Sequence, residues 1–94
     1  MNYIELEIGG KKRGFKFGLG FLGELIEELG FGIDQLQEKL TQNPFKVIPA
    51  MIYHSASYSA KRKGELIDFT IYDVSDWIDD MGGFYFPVIV QFFD

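Results

Sequence analysis

The chain has 94 residues, no cysteine, one histidine and a net charge of −5. That length suits one compact domain with a modest core, and the missing thiols exclude disulfides, thiolate–zinc sites and cysteine nucleophiles. The cations stop at Lys63, after which Glu65, Asp68, Asp73, Asp76, Asp79, Asp80 and Asp94 carry only negative charge, a balance that excludes the continuous basic footprint nucleic acid needs.

The segment "YIELEIGGKKRGFKFG" opens with strict alternation. Ile4, Leu6 and Ile8 face one way, Tyr3, Glu5 and Glu7 the other; Gly9-Gly10 interrupts, and Phe15 and Phe17 restore the period of two. This predicts an N-terminal β-hairpin with a glycine turn. The "KKR" of 11–13 at its tip reads as a solvated charge run, with an anion-binding loop as the functional alternative.

"GLGFLGELIEELG" contains G-x-G-x-x-G at Gly18, Gly20 and Gly23, on paper a dinucleotide fingerprint. A hairpin strand precedes it instead of a parallel βαβ strand, and the chain is too short for a Rossmann domain. Phe21, Leu22, Leu25, Ile26 and Leu29 make the stripe of an amphipathic helix that Gly30 ends. A second, shorter helix is expected from Asp34, an N-cap with Gln37 completing the capping box, with Leu36 and Leu40 as its apolar edge. Asn43-Pro44 stops it and starts a third, Asn43 capping and Pro44 at the first helical position.

The third helix, "PFKVIPAMIYHSASYSAKRKG", is apolar on more than one face through Val47, Ile48, Met51, Ile52 and Ala56, so it should run through the middle of the domain. Pro49 should kink it or mark its true beginning. Ala50, Ser55, Ala56, Ser57, Ser59 and Ala60 permit close neighbours. The "KRK" of 61–63 suits the negative end of the helix dipole, and Gly64 the position just past it. His54 reads as a packed or rim residue, Tyr53 and Tyr58 as half-buried aromatics.

"FTIYDVSDWIDDMGG" gathers four aspartates around the single tryptophan. Thr70 is an N-cap with Asp73 three residues on. Val74, Trp77, Ile78 and Met81 recur at i, i+3, i+4 and i+7 as one apolar stripe, with Asp73, Asp76 and Asp80 on the wetter side, Asp79 at the edge and Gly82-Gly83 closing the helix. The spacing is not that of an EF-hand loop. Asp-x-x-Asp offers a Mg²⁺ chelate in principle, but the solvated face of a capped helix is the preferred reading. The tail "FYFPVIVQFFD" suits a strand or a helix beginning near Pro87, and its apolar side chains must be buried or covered.

The fold expected is thus α+β and mainly helical: a β-hairpin, about four short helices, and a C-terminal segment of helix or strand, in a single domain over 1–94. No stretch resembles a signal peptide, and no apolar run approaches the length of a membrane span, so a cytoplasmic protein without membrane contact is expected. With aromatics at 17% and ten phenylalanines, some apolar surface should meet a protein partner. The first candidates for that contact are Phe84, Tyr85, Phe86, Phe92 and Phe93, then the basic hairpin tip. No catalytic, metal-binding or cofactor-binding residue is singled out.

The order of these segments resembles the tail assembly chaperones of long-tailed bacteriophages and prophages. The likeness runs over nearly the whole chain: "FKFGLGFLGEL", a helix ending before "GID", then "NPFKVIPAMIYHSASY", and above all "DFTIYDVSDWIDD", similar to the family's late helix. The phenylalanine-rich tail departs from the polar helical ending the family leads one to expect. The resemblance implies a non-enzymatic protein of the bacterial cytoplasm that needs no cofactor. Such a protein binds the tape-measure protein, keeps it soluble until the tail tube polymerises, and leaves before the virion is complete. It also implies self-association into homo-oligomers, contact with the major tail protein, and a longer frameshifted form. The competing readings are a small tail or head–tail component retained in the particle, and an enzyme or metal-binding module built on the aspartates.

Overall fold

The computed structural model describes residues 3–80 and 82. Strands β1 (Tyr3–Ile8) and β2 (Lys11–Lys16) form a two-stranded antiparallel hairpin, with Ile8 paired to Lys11 and Tyr3 to Lys16. Helices α1 (Leu19–Leu29), α2 (Leu36–Gln42), α3 (Pro44–Arg62) and α4 (Ile71–Asp80) follow, with one 3₁₀ turn over Ile33–Gln35. The architecture is α+β and mainly helical, as the periodicities indicate.

A two-residue loop between strands of right-handed twist favours positive φ at both positions; Gly9 and Gly10 meet this with φ of 62° and 88°. The hairpin's inner face lies on α3, which also packs against α1, α2 and α4. Close approach comes from small residues. Ser55, Ala56, Ser57, Ser59 and Ala60 are all buried on α3, and a Cβ on Gly14 of β2 would stand 2.7 Å from Ser59 Oγ. The core joins Phe15, Phe17, Phe21 and Leu25 to Val47, Met51 and Ile52 of α3 and to Phe69, Val74 and Trp77.

Helix ends follow the expected chemistry with two differences. At the end of α3 the Glu65 N–H reaches Ala60 O (2.9 Å) and the Gly64 N–H reaches Lys61 O (3.2 Å), a Schellman closure that uses the left-handed φ of Gly64, 72°. At the start of α4 the Thr70 N–H donates to Asp73 Oδ2 (2.8 Å) and the Asp73 N–H to Thr70 Oγ1 (3.3 Å), the reciprocal capping box. The capping pair before α2, however, is not Asp34 with Gln37. The chain enters one turn earlier through the 3₁₀ segment, and Gln35 Oε1 accepts from the Gly32 N–H at 3.2 Å. Asn43 occupies the N-cap position of α3 without a side-chain bond; its carbonyl accepts instead from Lys46 and Val47. Pro49 lies inside α3 and does not begin it.

Candidate interaction site

The clearest electrostatic structure lies at the hairpin tip. Arg13 has the same strand parity as Phe15 and Phe17, so its side chain turns inward with theirs and is only 8% exposed. This corrects the picture of "KKR" as a wholly solvated tip: Lys11 and Lys12 are exposed, Arg13 is buried. Its Nε donates to Ile8 O at 2.9 Å, Nη2 to Gly9 O at 3.1 Å, and Nη1 to Asp68 Oδ1 at 2.6 Å. The guanidinium carbon lies 4.8 and 5.3 Å from the ring centroids of Trp77 and Phe69, a cation–π contact with each ring. Lys11 adds a second cation 3.3 Å from Asp68. The Arg13 hydrogen bond, helped by Lys11, holds the Asp68 carboxyl down from 3.8 to about 2.

The anion at this tip is therefore the chain's own Asp68. Trp77 closes the other side. It meets Phe69 at 5.3 Å and Phe15 edge-on at 6.5 Å, and a Cβ on Gly9 would stand 2.8 Å from its indole nitrogen. Arg13 of β2, Asp68 and Phe69 of the 64–70 connection and Trp77 of α4 thus lock these parts together. The "KRK" cluster is also largely engaged internally. Lys61 pairs with Glu24 at 2.9 Å, and Lys63 donates to the Tyr3 hydroxyl and stands 3.7 Å from Glu5.

The remaining sequence candidates are placed as follows. Gly18 precedes α1, Gly20 is pressed against Tyr58 of α3 and Gly23 has no neighbour within 4 Å, so the triplet follows an antiparallel strand and only Gly20 serves a helix–helix contact. His54 is 13% exposed, its Nδ1 3.8 Å from Glu24 Oε1, beyond hydrogen-bonding reach, and without a partner among the described residues. Among those residues no three of His, Cys, Asp and Glu are grouped to hold a metal ion, and no helix is long and apolar enough to cross a membrane. Phe84, Tyr85, Phe86, Phe92 and Phe93, with Met81 and Gly83, lie outside the described residues.

What periodicity does not reveal is a groove between α3 and α4. Pro44, Phe45, Ile48 and Pro49 line one wall, Ser75, Ile78 and Asp79 the other, around about 300 Å³. Phe45 on its rim is 80% exposed, and Tyr72, one turn before Ser75, is 79% exposed. Asp79 is exposed at its edge, and Asp76 and Asp80 are exposed on other faces of α4. None of the aspartates of α4 takes part in an ion pair among the described residues. Comparison with known proteins finds no matching family model, curated protein or solved structure. The functional reading rests on the chain itself.

Proposed function

We propose that this chain is a non-enzymatic tail assembly chaperone of a long-tailed phage or prophage. Acting in the bacterial cytoplasm, it covers the apolar stripes of the tape-measure protein until the polymerising tail tube replaces it. The observation that supports this reading most is the apolar groove between α3 and α4, edged by Asp79, which makes no ion pair among the described residues. An apolar hollow shaped by two helices suits a helix laid into it. A net charge of −5 keeps a decorated filament dispersed by self-repulsion. Many weak contacts along one partner, strengthened by self-association of the chaperone, hold through multivalency yet release singly as the tube advances. Contact with the major tail protein would mark the handover.

The test is co-expression with a tape-measure fragment that is insoluble alone. The fragment should move to the soluble fraction and co-purify with this chain, and mass spectrometry of finished particles should not find the chain. A fragment left in the pellet overturns the proposal; so does the chain in purified particles, which makes it a structural component.

A further inference from the structure

We propose that the furrow where α1 and the start of α4 flank α3 docks a segment of a partner protein that sets an apolar side chain beside Lys or Arg. The inference rests on the partner-binding reading above only in taking the partner to be a protein, and it uses a face other than the α3/α4 groove. The apolar half is a hollow of about 400 Å³ lined by Ala50, Tyr53, Phe69, Thr70 and Ile71, within the usual range for ligand sites, about 300–1,000 Å³. Tyr53 and Phe69 meet edge-on in its wall, their ring centroids 5.5 Å apart. The acidic half adjoins it, a second hollow lined by Glu24, Glu27 and Glu28 of α1 and by Lys61 of α3. Glu28 and His54 line both, so the two halves are continuous.

Charge selects the occupant. Three carboxylates and one ammonium line the acidic half, and the ammonium of Lys61 is already bonded to Glu24 at 2.9 Å. Glu27 and Glu28 enter no ion pair among the described residues. Both stand in the last turn of α1, which holds no basic residue, against the negative end of the helix dipole. Glu24 and Glu28 are also like charges four residues apart, an unfavourable pair on one helix. A cation from outside relieves all three carboxylates. At the junction of the two halves, His54 Nδ1 is buried without a hydrogen-bond partner among the described residues, polar capacity that the fold leaves unused. A bare metal ion would leave the apolar half empty, and a second copy brings the same net charge of −5 and meets repulsion. A chain segment with Lys or Arg next to an apolar side chain satisfies both halves.

The experiment follows the ring C–H resonances of His54, the single histidine of the chain, by NMR at fixed pH while short peptides are added to the full chain. One peptide carries leucines beside lysines, the other leucines beside glutamates. The lysine peptide should shift the His54 resonances saturably, with an affinity that falls as salt rises, and the glutamate peptide should leave them in place. Glu27→Lys with Glu28→Lys changes two exposed positions, and the new cations suit the end of a helix. This variant should keep its melting temperature and bind the lysine peptide about tenfold more weakly. Asp79→Lys, at the α3/α4 groove, should weaken binding far less. His54 resonances that neither peptide moves, that both move alike, or that respond as strongly to Asp79→Lys as to the α1 pair overturn the proposal. Resonances that shift with the concentration of the chain alone also overturn it, because a second copy is then the occupant. A chain that solubilises a tape-measure fragment but fails here loses this surface and keeps the chaperone function. The converse result keeps the surface alone.

Discussion

Replacing Arg13 tests whether the guanidinium lock is an energetic feature of the fold. Arg13→Met keeps most of the stem beside Phe69 and Trp77 and removes every donor. The Ile8 and Gly9 carbonyls lose hydrogen bonds of 2.9 and 3.1 Å to a charged group, each worth about 1.5–3 kcal/mol. Two ring faces lose a cation, at about 0.5–2 kcal/mol each. Against this, removing a buried charge relieves its desolvation cost, which can cancel much of a buried pair's apparent value. Asp68 returns to water readily because its side chain is already 45% exposed. The net expectation is a loss of about 2 kcal/mol for Arg13→Met, near the centre of the two opposing effects. Arg13→Ala should lose about 1–2 kcal/mol more through the missing methylenes, at roughly 0.8 kcal/mol each. Urea unfolding followed by Trp77 emission and by far-ultraviolet circular dichroism reads both variants. With a slope of about 1–2 kcal/mol per molar, the Arg13→Met midpoint should fall by about 1–2 M. A fall below about 0.3 M, inside the usual error of such curves, refutes the claim that the guanidinium has net stabilising value.

The pH dependence has a definite sign: the Asp68 carboxyl titrates at about 2 in the fold against 3.8 ordinarily, so its contribution is complete above 3.8 and is lost as pH falls toward 2. Acid unfolding curves should therefore steepen below pH 3.8, and Asp68→Asn should flatten that limb; identical limbs in the two proteins refute the assignment. Two glycines of α1 should respond oppositely to alanine. Gly23→Ala, with nothing within 4 Å, should raise stability by about 0.5–1 kcal/mol through helix propensity. Gly20→Ala drives a methyl into the Tyr58 ring and should lower it by about 1–3 kcal/mol through overpacking, as thermal melting of the two variants would read.

Most of the fold is legible in local patterns. The α4 capping box needs only Thr70 and Asp73 at the right spacing, and its buried side follows from Val74, Trp77 and Ile78. The hairpin follows from alternation and the glycine pair. Arg13 shows how a local rule can be overridden by charge class. Its parity with Phe15 and Phe17 signals an inward side chain, yet arginine in a basic run suggests water. What makes the inward position tolerable is Asp68, 55 residues away, which no window of sequence contains. The Gly32–Gln35 entry to α2 was hidden because a glycine carbonyl and a 3₁₀ turn replace the expected aspartate cap. The groove was invisible for a different reason. Ile48 and Pro49 on α3 and Ser75 and Ile78 on α4 belong to separate helical patterns, and only their packing leaves space between them.

The Arg13–Asp68 bond also sets an order of events during synthesis. Arg13 leaves the ribosome 55 residues ahead of its carboxylate, a gap of about 3–11 s at ~5–20 residues per second. The hairpin can close and meet α1 in that time, but its charged side chain waits in solvent, because Asp68, Phe69 and Trp77 do not yet exist outside the tunnel. The nascent chain therefore presents a cation over the unfinished end of its core, and α4 must arrive to cover it. Vectorial synthesis leaves α4 as the last of the described helices to dock.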